Sequence, residues 1–563
     1  MLKIFGQYFK DILKPIGLVF GDIGTSPIYT LSFIFISMDI NEHNVIGVLS
    51  LIIWTLIIIS IMQYAWLTMS LSKRGEGCEI VLFEILAPLL GGDKKKKLIY
   101  SILTYIGISL LIGDGVITPS VSILSSVEGL ALVMPSIPHV VIILLAILVT
   151  IFLFSIQKRG SDKVSIAFGP VMLIWFALLG VLGIVYIFDY PSVFHALNPY
   201  YGVVFLFERG FTGIFILSSV ILCTTGVEAI YADMGHLGRK PILKALSFVF
   251  VILVIQYMGQ CAFLLTVKSA KTVLFNMVLN LTEFFYIPFL ILSLFATIIA
   301  SQAMISGVFS VVYQGIMTKI FPILKVKYTS AKVMSQIYIG TVNKFLMFFV
   351  IIAIIAFNSS TALASVYGVA VTGTITISAI IILTIFILKK LYVKAAFTAF
   401  ALIVDLLFLI ANSEKVPNGG YWSLLIAIIP FSLIMIFSFG QKILHRSLQK
   451  TTLETFAKKF KSYYENNIKL PGTALFCIST VKSVHPYILK TMFKNNIIYD
   501  DNILVNISKS NEPYGVDVIY QTVTDGLKLF KVTAGYMEYI DLDYLLKLEN
   551  IDEKVVFYGI EDI

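Results

Sequence analysis

Three acids stand where the chain is otherwise apolar: Asp22 in "GLVFGDIGTSPIYTLSF", Asp114 in "LLIGDGVITPSVSILSSVEGL" and Glu228 in "SSVILCTTGVEAIYADMGHLGRKP". No basic residue accompanies them at their depth. A bare carboxylate is costly in an apolar interior, so such acids either bind a cation or take up a proton. The groups around them are hydroxyls and freed carbonyls, from Tyr29, Thr118, Thr224, Thr225 and Tyr367. These are hard oxygen ligands, suited to a weakly held alkali ion, and soft-metal ligands are absent from the set. With several acids present, one can neutralise the ion while another carries a proton. The residues alone therefore point to a cation–proton symporter, with Glu228 the first choice for the proton and Asp22 the second.

The Asp114 stretch adds a stripe. Asp114, Thr118, Ser122 and Ser125 recur at intervals of four, four and three, within an arc of about 80° on a helix. Glu128 falls on the same side, nearer the outer end. Serines bonding back to their own helix carbonyls account for Ser122 and Ser125 about as well as a site does. That account does not reach Asp114. Tyr367, Gly368, Thr372, Gly373 and Thr374 bring further small and hydroxyl residues. Their spacing reads first as tight helix packing, and a tyrosine in a membrane core needs only one partner for its hydroxyl.

These residues require elements that hold them in lipid. Of the 563 residues, 58% are hydrophobic and 13% are charged, too few charges to cover a soluble surface. Apolar runs long enough to cross the membrane give twelve expected spans, near 16–37, 45–70, 98–130, 137–157, 164–187, 211–232, 243–267, 286–318, 338–357, 361–388, 392–411 and 421–440. With the N-terminus placed inside, the inner loops carry 19 Lys and Arg. They are Lys73, Arg74, Lys94 to Lys97, Lys158, Arg159, Lys163, Arg239, Lys240, Lys244, Lys319, Lys325, Lys327, Lys332, Lys389, Lys390 and Lys394. The outer loops carry Arg209, Lys268, Lys271 and Lys415. That asymmetry places both termini in the cytoplasm. It also accounts for the net charge of +9 without nucleic acid, since no basic patch is interleaved with aromatics. The first span reads as a retained span and not a cleaved leader.

Two spans carry their own breakers. The first holds Gly21, Gly24, Ser26 and Pro27, and the sixth holds Thr224, Thr225 and Gly226. Irregular backbone at membrane depth is tolerated only where protein buries it or a watery cavity lies beside it. Spans 1–5 and 6–10 would form two halves of opposite topology, each opening on a broken helix, which is the sequence sign of a transporter's central site. A TVGYG-type channel filter is absent from the sequence.

From 441 to 563 charges become frequent, and the segment reads as a small α/β domain following a membrane domain of 1–440. Its expected strands are "GTALFCIST", "NILVNIS", "GVDVIYQ" and "VVFYGI", with helices in "HPYILKTMFKNN" and "LDYLLKLEN". Cys78, Cys223, Cys261 and Cys477 are scattered without metal spacing and read as unpaired thiols. His485 and Cys477 show no base–nucleophile partner in the sequence, so an enzyme is not expected. His236 reads as a loop or capping histidine. The rival readings are a polyamine or amino-acid transporter of the same fold and a membrane-anchored ion sensor.

The stretches "GDIGTSPIYT", "GDGVITPSVSILSSVEGL", "EAIYADMGHLGRKPI", "SQAMISGVFSV" and "ASVYGVAVTGTI" resemble, in order from about Pro15 to about Arg446, the signatures of the KUP (HAK/KT) potassium uptake permeases. A weaker likeness continues at "LPGTALFCIST". The resemblance implies an all-α polytopic membrane protein with twelve helices and a 5+5 inverted-repeat core, of the amino acid–polyamine–organocation superfamily. It implies K⁺ uptake coupled to H⁺ across the cell membrane, with no cofactor. It also implies a homodimer formed largely through the cytoplasmic domain, and a cyclic dinucleotide as regulator of some members. Carried over by motif, Asp22, Tyr29, Asp114, Thr118, Ser122, Thr225, Glu228 and Tyr367 match the family's ion and proton site. Where the family often carries a run like GEGG, this chain has Gly75, Glu76, Gly77 and Cys78. Its tail is also shorter than in many members.

Overall fold

The computed structural model describes residues 12–36, 38–72, 76–159, 161–268, 271–329, 337–447, 451–509, 514–535, 538 and 540–559. Lys73, Arg74, Gly75 and Lys332, singled out above, lie outside the described residues, as do the side chains of Arg159, Lys163, His236 and Arg446. Contacts divide the chain into two compact units, one ending at Met435 and one running on from Ile436.

The first unit is helical. Its elements are α1 (Ile12–Leu18), α2 (Gly21–Phe35), α3 (Glu42–Ser70), α4 (Glu79–Leu89), α5 (Lys94–Glu128), α6 (His139–Ile156), α7 (Ser161–Ile187), α8 (Pro199–Arg209), α9 (Phe211–Val220), α10 (Val227–Ala232), α11 (Arg239–Val267), α12 (Val273–Leu281), α13 (Tyr286–Met317), α14 (Gly340–Phe357), α15 (Ser360–Leu388), α16 (Tyr392–Ser413) and α17 (Tyr421–Ser447). Among the described residues ten helices are long and apolar enough to cross a membrane, and α1 with α2 adds an eleventh as one span bent by 74°. The expected sixth span, 211–232, is split. The apolar helix Phe211–Thr224 is too short to count alone, and Gly226 separates it from α10.

Apolar side chains around each helix leave nothing for water, and burial follows position in the bundle. In its most apolar stretch α5 is 72% buried, whereas α6 and α16 are only 28% buried. Helix α5 packs against α6, α13, α14 and α15, so whatever it carries mid-length is enclosed by protein. On α6, Leu148 and Phe152 face outward, as do Phe400 and Ile403 on α16; this is where lipid replaces neighbours. The middle of α3, Leu56–Leu67, winds as a π-helix, a rare form that concentrates at functional sites.

The second unit is the α/β domain expected from the tail. Strands β3 (Leu470–Cys477), β4 (Tyr499–Lys509), β5 (Val516–Thr524), β6 (Leu527–Ala534) and β7 (Glu553–Phe557) follow a short pair in the first unit, β1 (Val326–Tyr328) and β2 (Ile337–Ile339). They form one sheet in the order β5-β6-β4-β3-β7, parallel except for β5 on β6. Period-two alternation sends Ala474 and Phe476 to one face, with Phe456 and Phe460 of α18 (Leu453–Asn466). It sends Leu475 to the other face, with Leu546 of α19 (Leu542–Leu548). The sequence reading missed α18 and β6. His485 is not isolated, since its Nε2 lies 2.7 Å from Ser479 Oγ.

Candidate functional site

The first break sits inside α2. After Gly21–Thr25 the chain tightens into a 3₁₀ turn at Ser26–Ile28 and resumes as a helix at Thr30. Pro27 has no N–H to give and clashes with the preceding turn, so carbonyls are set free. Side chains from other helices take them up. Trp175 Nε1 donates to the Gly24 carbonyl at 2.8 Å, and Gln260 Nε2 donates to the Pro27 carbonyl at 2.9 Å. Thr25 Oγ1 donates to the Asp22 carbonyl at 3.0 Å, and Ser26 Oγ to the Ile23 carbonyl at 2.8 Å.

The second break lies between α9 and α10. A 3₁₀ turn at Ile221–Thr224 leads into Thr225, whose backbone is extended (φ −51°, ψ 137°). Gly226 then adopts φ +86°, a left-handed conformation that an L side chain resists. A Cβ on Gly226 would lie 2.6 Å from Asp22 Oδ2. The two breaks therefore meet, with the Asp22 carboxylate lying over the bare backbone of Gly226. Tyr29 Oη and Thr225 Oγ1 join them again at 3.3 Å. Glu228 follows in the first turn of α10.

Helix α5 brings the third side. Thr118 Oγ1 donates to Asp114 Oδ1 at 2.9 Å. Tyr367 is buried on α15, the helix packed along α5. All eight residues expected at a site are buried. Among the described residues no hydrogen-bond partner is found for either oxygen of Asp22, either oxygen of Glu228, Asp114 Oδ2, Ser122 Oγ or Tyr367 Oη. Ser125 is different, since its hydroxyl bonds back to the Ser122 carbonyl at 3.1 Å. Glu128 is engaged as well: Ser360, at the start of α15, gives it both its backbone N–H, at 2.8 Å, and its hydroxyl. Thr372 and Thr374 bond back to carbonyls of α15, and Gly368 and Gly373 let Asn412 and Leu110 pack closely. These four are packing residues.

Three buried acids escaped the sequence reading, one of them Asp233, whose Oδ1 accepts from Ser310 Oγ at 3.4 Å. Asp405 lies mid-way along α16, and its Oδ2 accepts from Gln63 Nε2 of the π-helical stretch at 2.7 Å. Glu79 opens α4, and its Oε1 accepts from Ser378 Oγ at 3.1 Å. The signal for Asp405 was available, as an acid within an apolar run. The signal for Glu79 was not, because α4 is too short to read as a span.

A cavity of about 410 Å³, lined by Tyr29, Ser32, Ser125, Glu128, Lys271 and Ser360 among others, approaches the site from the α5 C-terminal end. Tyr29 belongs both to this cavity and to the Thr225 contact, so it stands where the vestibule meets the carboxylates.

A bundle of membrane-spanning helices, two of them interrupted face to face around unpartnered carboxylates and hydroxyls, defines a membrane protein with a central polar site. Comparison with known proteins gives the family. Residues 9–442 match the K⁺ potassium transporter integral membrane domain, and residues 471–562 match the K⁺ potassium transporter C-terminal domain. A "probable potassium transport system protein Kup" of Methanosarcina acetivorans is 50% identical over 558 residues, covering 99% of this chain and 92% of the relative. The protein of the same description from Geotalea uraniireducens is 49% identical over 566 residues, covering 100% and 93%. The chain belongs to the K⁺ potassium transporter family.

Proposed function

We propose that this protein takes up K⁺ across the cell membrane in symport with H⁺, by alternating access to the site between α2, α5, α10 and α15. The observation that carries this reading is the set of buried oxygens without partners on Asp22, Asp114, Glu228, Ser122 and Tyr367. Such oxygens are expensive in an apolar interior unless a cation or a proton meets them. Asp114, Thr118, Tyr29, Thr225 and Tyr367 supply the hard oxygens for K⁺, with Ser122 and Asp22 beside them, and Glu228 carries the proton. Moving K⁺ inward gains ~2.3 kcal/mol per 100 mV, and a proton moving with it doubles that drive. The vestibule at the α5 C-terminal end is the outer entrance and both chain termini are cytoplasmic, a placement that the Lys and Arg asymmetry supports. The potassium transport named for the relatives agrees with this cargo.

The test is K⁺-driven acidification inside proteoliposomes with the membrane voltage clamped near zero. Acidification that requires K⁺ and is lost in Glu228→Gln is expected. K⁺ entry without proton movement would overturn the symport and leave only a K⁺ path.

A further inference from the structure

Glu79 is a buried acid for which the central site has no use. It is 3% exposed, at the head of a helix whose other buried residues are Ile80, Val81, Leu82 and Leu86. One of its oxygens is held by Ser378; Oε2 has no hydrogen-bond partner among the described residues. A buried bare oxygen destabilises unless something meets it, so Oε2 has room for a proton.

Its place is specific. A Cβ on Gly107 of α5 would lie 3.3 Å from Glu79 Cγ and 3.3 Å from Ile377 of α15. Gly107 thus leaves the room that the acid occupies, in the seam between α5 and α15. From Gly107 to Asp114 is seven residues, about two turns or ~10 Å along one face of α5. From Ser378 back to Tyr367 is eleven residues, about three turns along one face of α15. Glu79 therefore lies on the same two stripes as the central site, displaced away from the vestibule.

Tyr64 stands on the stretch of α3 that packs on α10. It is buried in the π-helical stretch, its hydroxyl has no hydrogen-bond partner among the described residues, and Glu228, Glu79, Asp405 and Tyr231 are the titratable groups around it. The other titratable groups facing Glu79 are Cys78 and Tyr231, with Glu76 beyond Cys78. Cys78 Sγ donates to Gln314 Oε1 at 2.7 Å, and Tyr231 Oη donates to the Leu71 carbonyl at 2.7 Å. Those contacts tie up Cys78 and Tyr231, whereas Glu79 Oε2 and Tyr64 Oη, like Ser60 Oγ, Gln63 Oε1 and Asp405 Oδ1, have no hydrogen-bond partner among the described residues.

We propose that Glu79 is a second proton station, between Glu228 and the cytoplasmic face. Protonated Glu228 gives its proton to water in the interval, the Glu79 carboxylate takes a proton up from that water with the Tyr64 hydroxyl beside the path, and Glu79 releases a proton to water at the cytoplasmic end. Each step breaks one O–H bond and forms one. The proposal rests on the proton-coupled reading above and assigns the route by which the proton leaves.

The test uses the full-length protein in oriented proteoliposomes, reading K⁺-driven proton influx, Rb⁺ binding and the dependence of flux on internal pH. Glu79→Gln keeps the shape and the Ser378 bond. It is expected to slow proton-coupled uptake by roughly tenfold or more, to leave Rb⁺ affinity unchanged and to flatten the internal-pH profile. Glu79→Asp restores part of the rate. Tyr64→Phe, which removes only the hydroxyl, slows the same step and serves if Glu79→Gln does not fold. Wild-type rate and pH profile in Glu79→Gln would overturn the relay while leaving symport intact. A slower rate with an unchanged profile would reduce Glu79 to a packing role and overturn it equally. A wild-type protein that moves K⁺ without protons would remove both readings together.

Discussion

The two interruptions at the centre of the bundle are built differently. The break in α2 keeps right-handed backbone throughout, and its freed carbonyls at Gly24 and Pro27 are taken by Trp175 and Gln260. The break between α9 and α10 depends on a single left-handed glycine with the Asp22 carboxylate against it. The first is a scaffolded bend and the second is an open edge of the site. Breaking a helix in lipid thus has two uses: one break aims a carboxylate, and the other clears the space that it occupies.

Substitution of the glycines tests that contrast most strongly. Gly226→Ala must place a Cβ on the Asp22 carboxylate at φ +86°. Rb⁺ uptake should fall roughly hundredfold or more, the cost of misplacing reacting groups by an ångström. Gly24→Ala meets only the ring of Phe176, at 2.5 Å, and a ring can shift. It should retain a measurable share of uptake. Equal losses in the two variants would erase the distinction between the breaks.

The acids come next. Asp114→Asn removes the charge while leaving its size, and should weaken K⁺ binding by about 10- to 100-fold, the worth of one charged hydrogen-bonding partner. Glu228→Gln should stop proton-coupled uptake yet retain Rb⁺ binding. Binding isotherms on purified protein separate the two. Normal concentrative uptake by both variants would dissolve the site assignment on either side of the breaks.

Removing the scaffold of the first break should have a smaller effect. Trp175→Phe leaves the ring and deletes the donor to Gly24, and Gln260→Met does the same at Pro27. Each strands a buried carbonyl, at about 1–3 kcal/mol. A lowered thermal midpoint in detergent is expected, with K⁺ affinity nearly unchanged. A lost affinity with an unchanged midpoint would show that these donors serve the ion and not the bend.

The contrast also explains what could be read in advance. Pro27 and Gly226 announce their breaks because proline and glycine act through local backbone alone, and the long apolar runs announce their helices for a similar reason. Eleven of the twelve expected spans correspond to single helices or the one bent pair. Partnership is not local. Nothing in "SILSSVEG" says that Ser125 bonds back while the Ser122 hydroxyl finds no partner among the described residues, or that Glu128 will be taken by Ser360 some 230 residues away. Glu79 and the π-helical stretch of α3 are invisible for that reason, since each is defined by what α5, α15 and α16 bring to it. In the tail, strand β6 was missed because "LKLFKVTA" alternates lysines with apolar residues and resembles a charged loop until β4 and β5 flank it.

Lys415 ties the two breaks together on the vestibule side, and it yields the smallest effect. It precedes α17, donates to the Ser218 carbonyl of α9 at 2.7 Å and lies over the Phe33 ring of α2 at 5.1 Å. Burial pulls its pKa from 10.5 down to about 7, against the opposing pull of Glu414. The sign follows from proton counting. Between about pH 7 and pH 10.5 the unfolded chain holds this proton and the folded chain does not, so stability rises with pH. Below pH 7 both states hold it, and the cost of the buried charge is at its full size. The thermal midpoint should therefore increase from pH 6 to pH 9, by roughly 2–5 °C. Lys415→Met should remove that increase and raise the midpoint at pH 6. If instead Lys415→Met lowers the midpoint at pH 6, the charge is a clasp holding α9 to α2, and the halves beyond the two breaks depend on each other more than their separate construction implies.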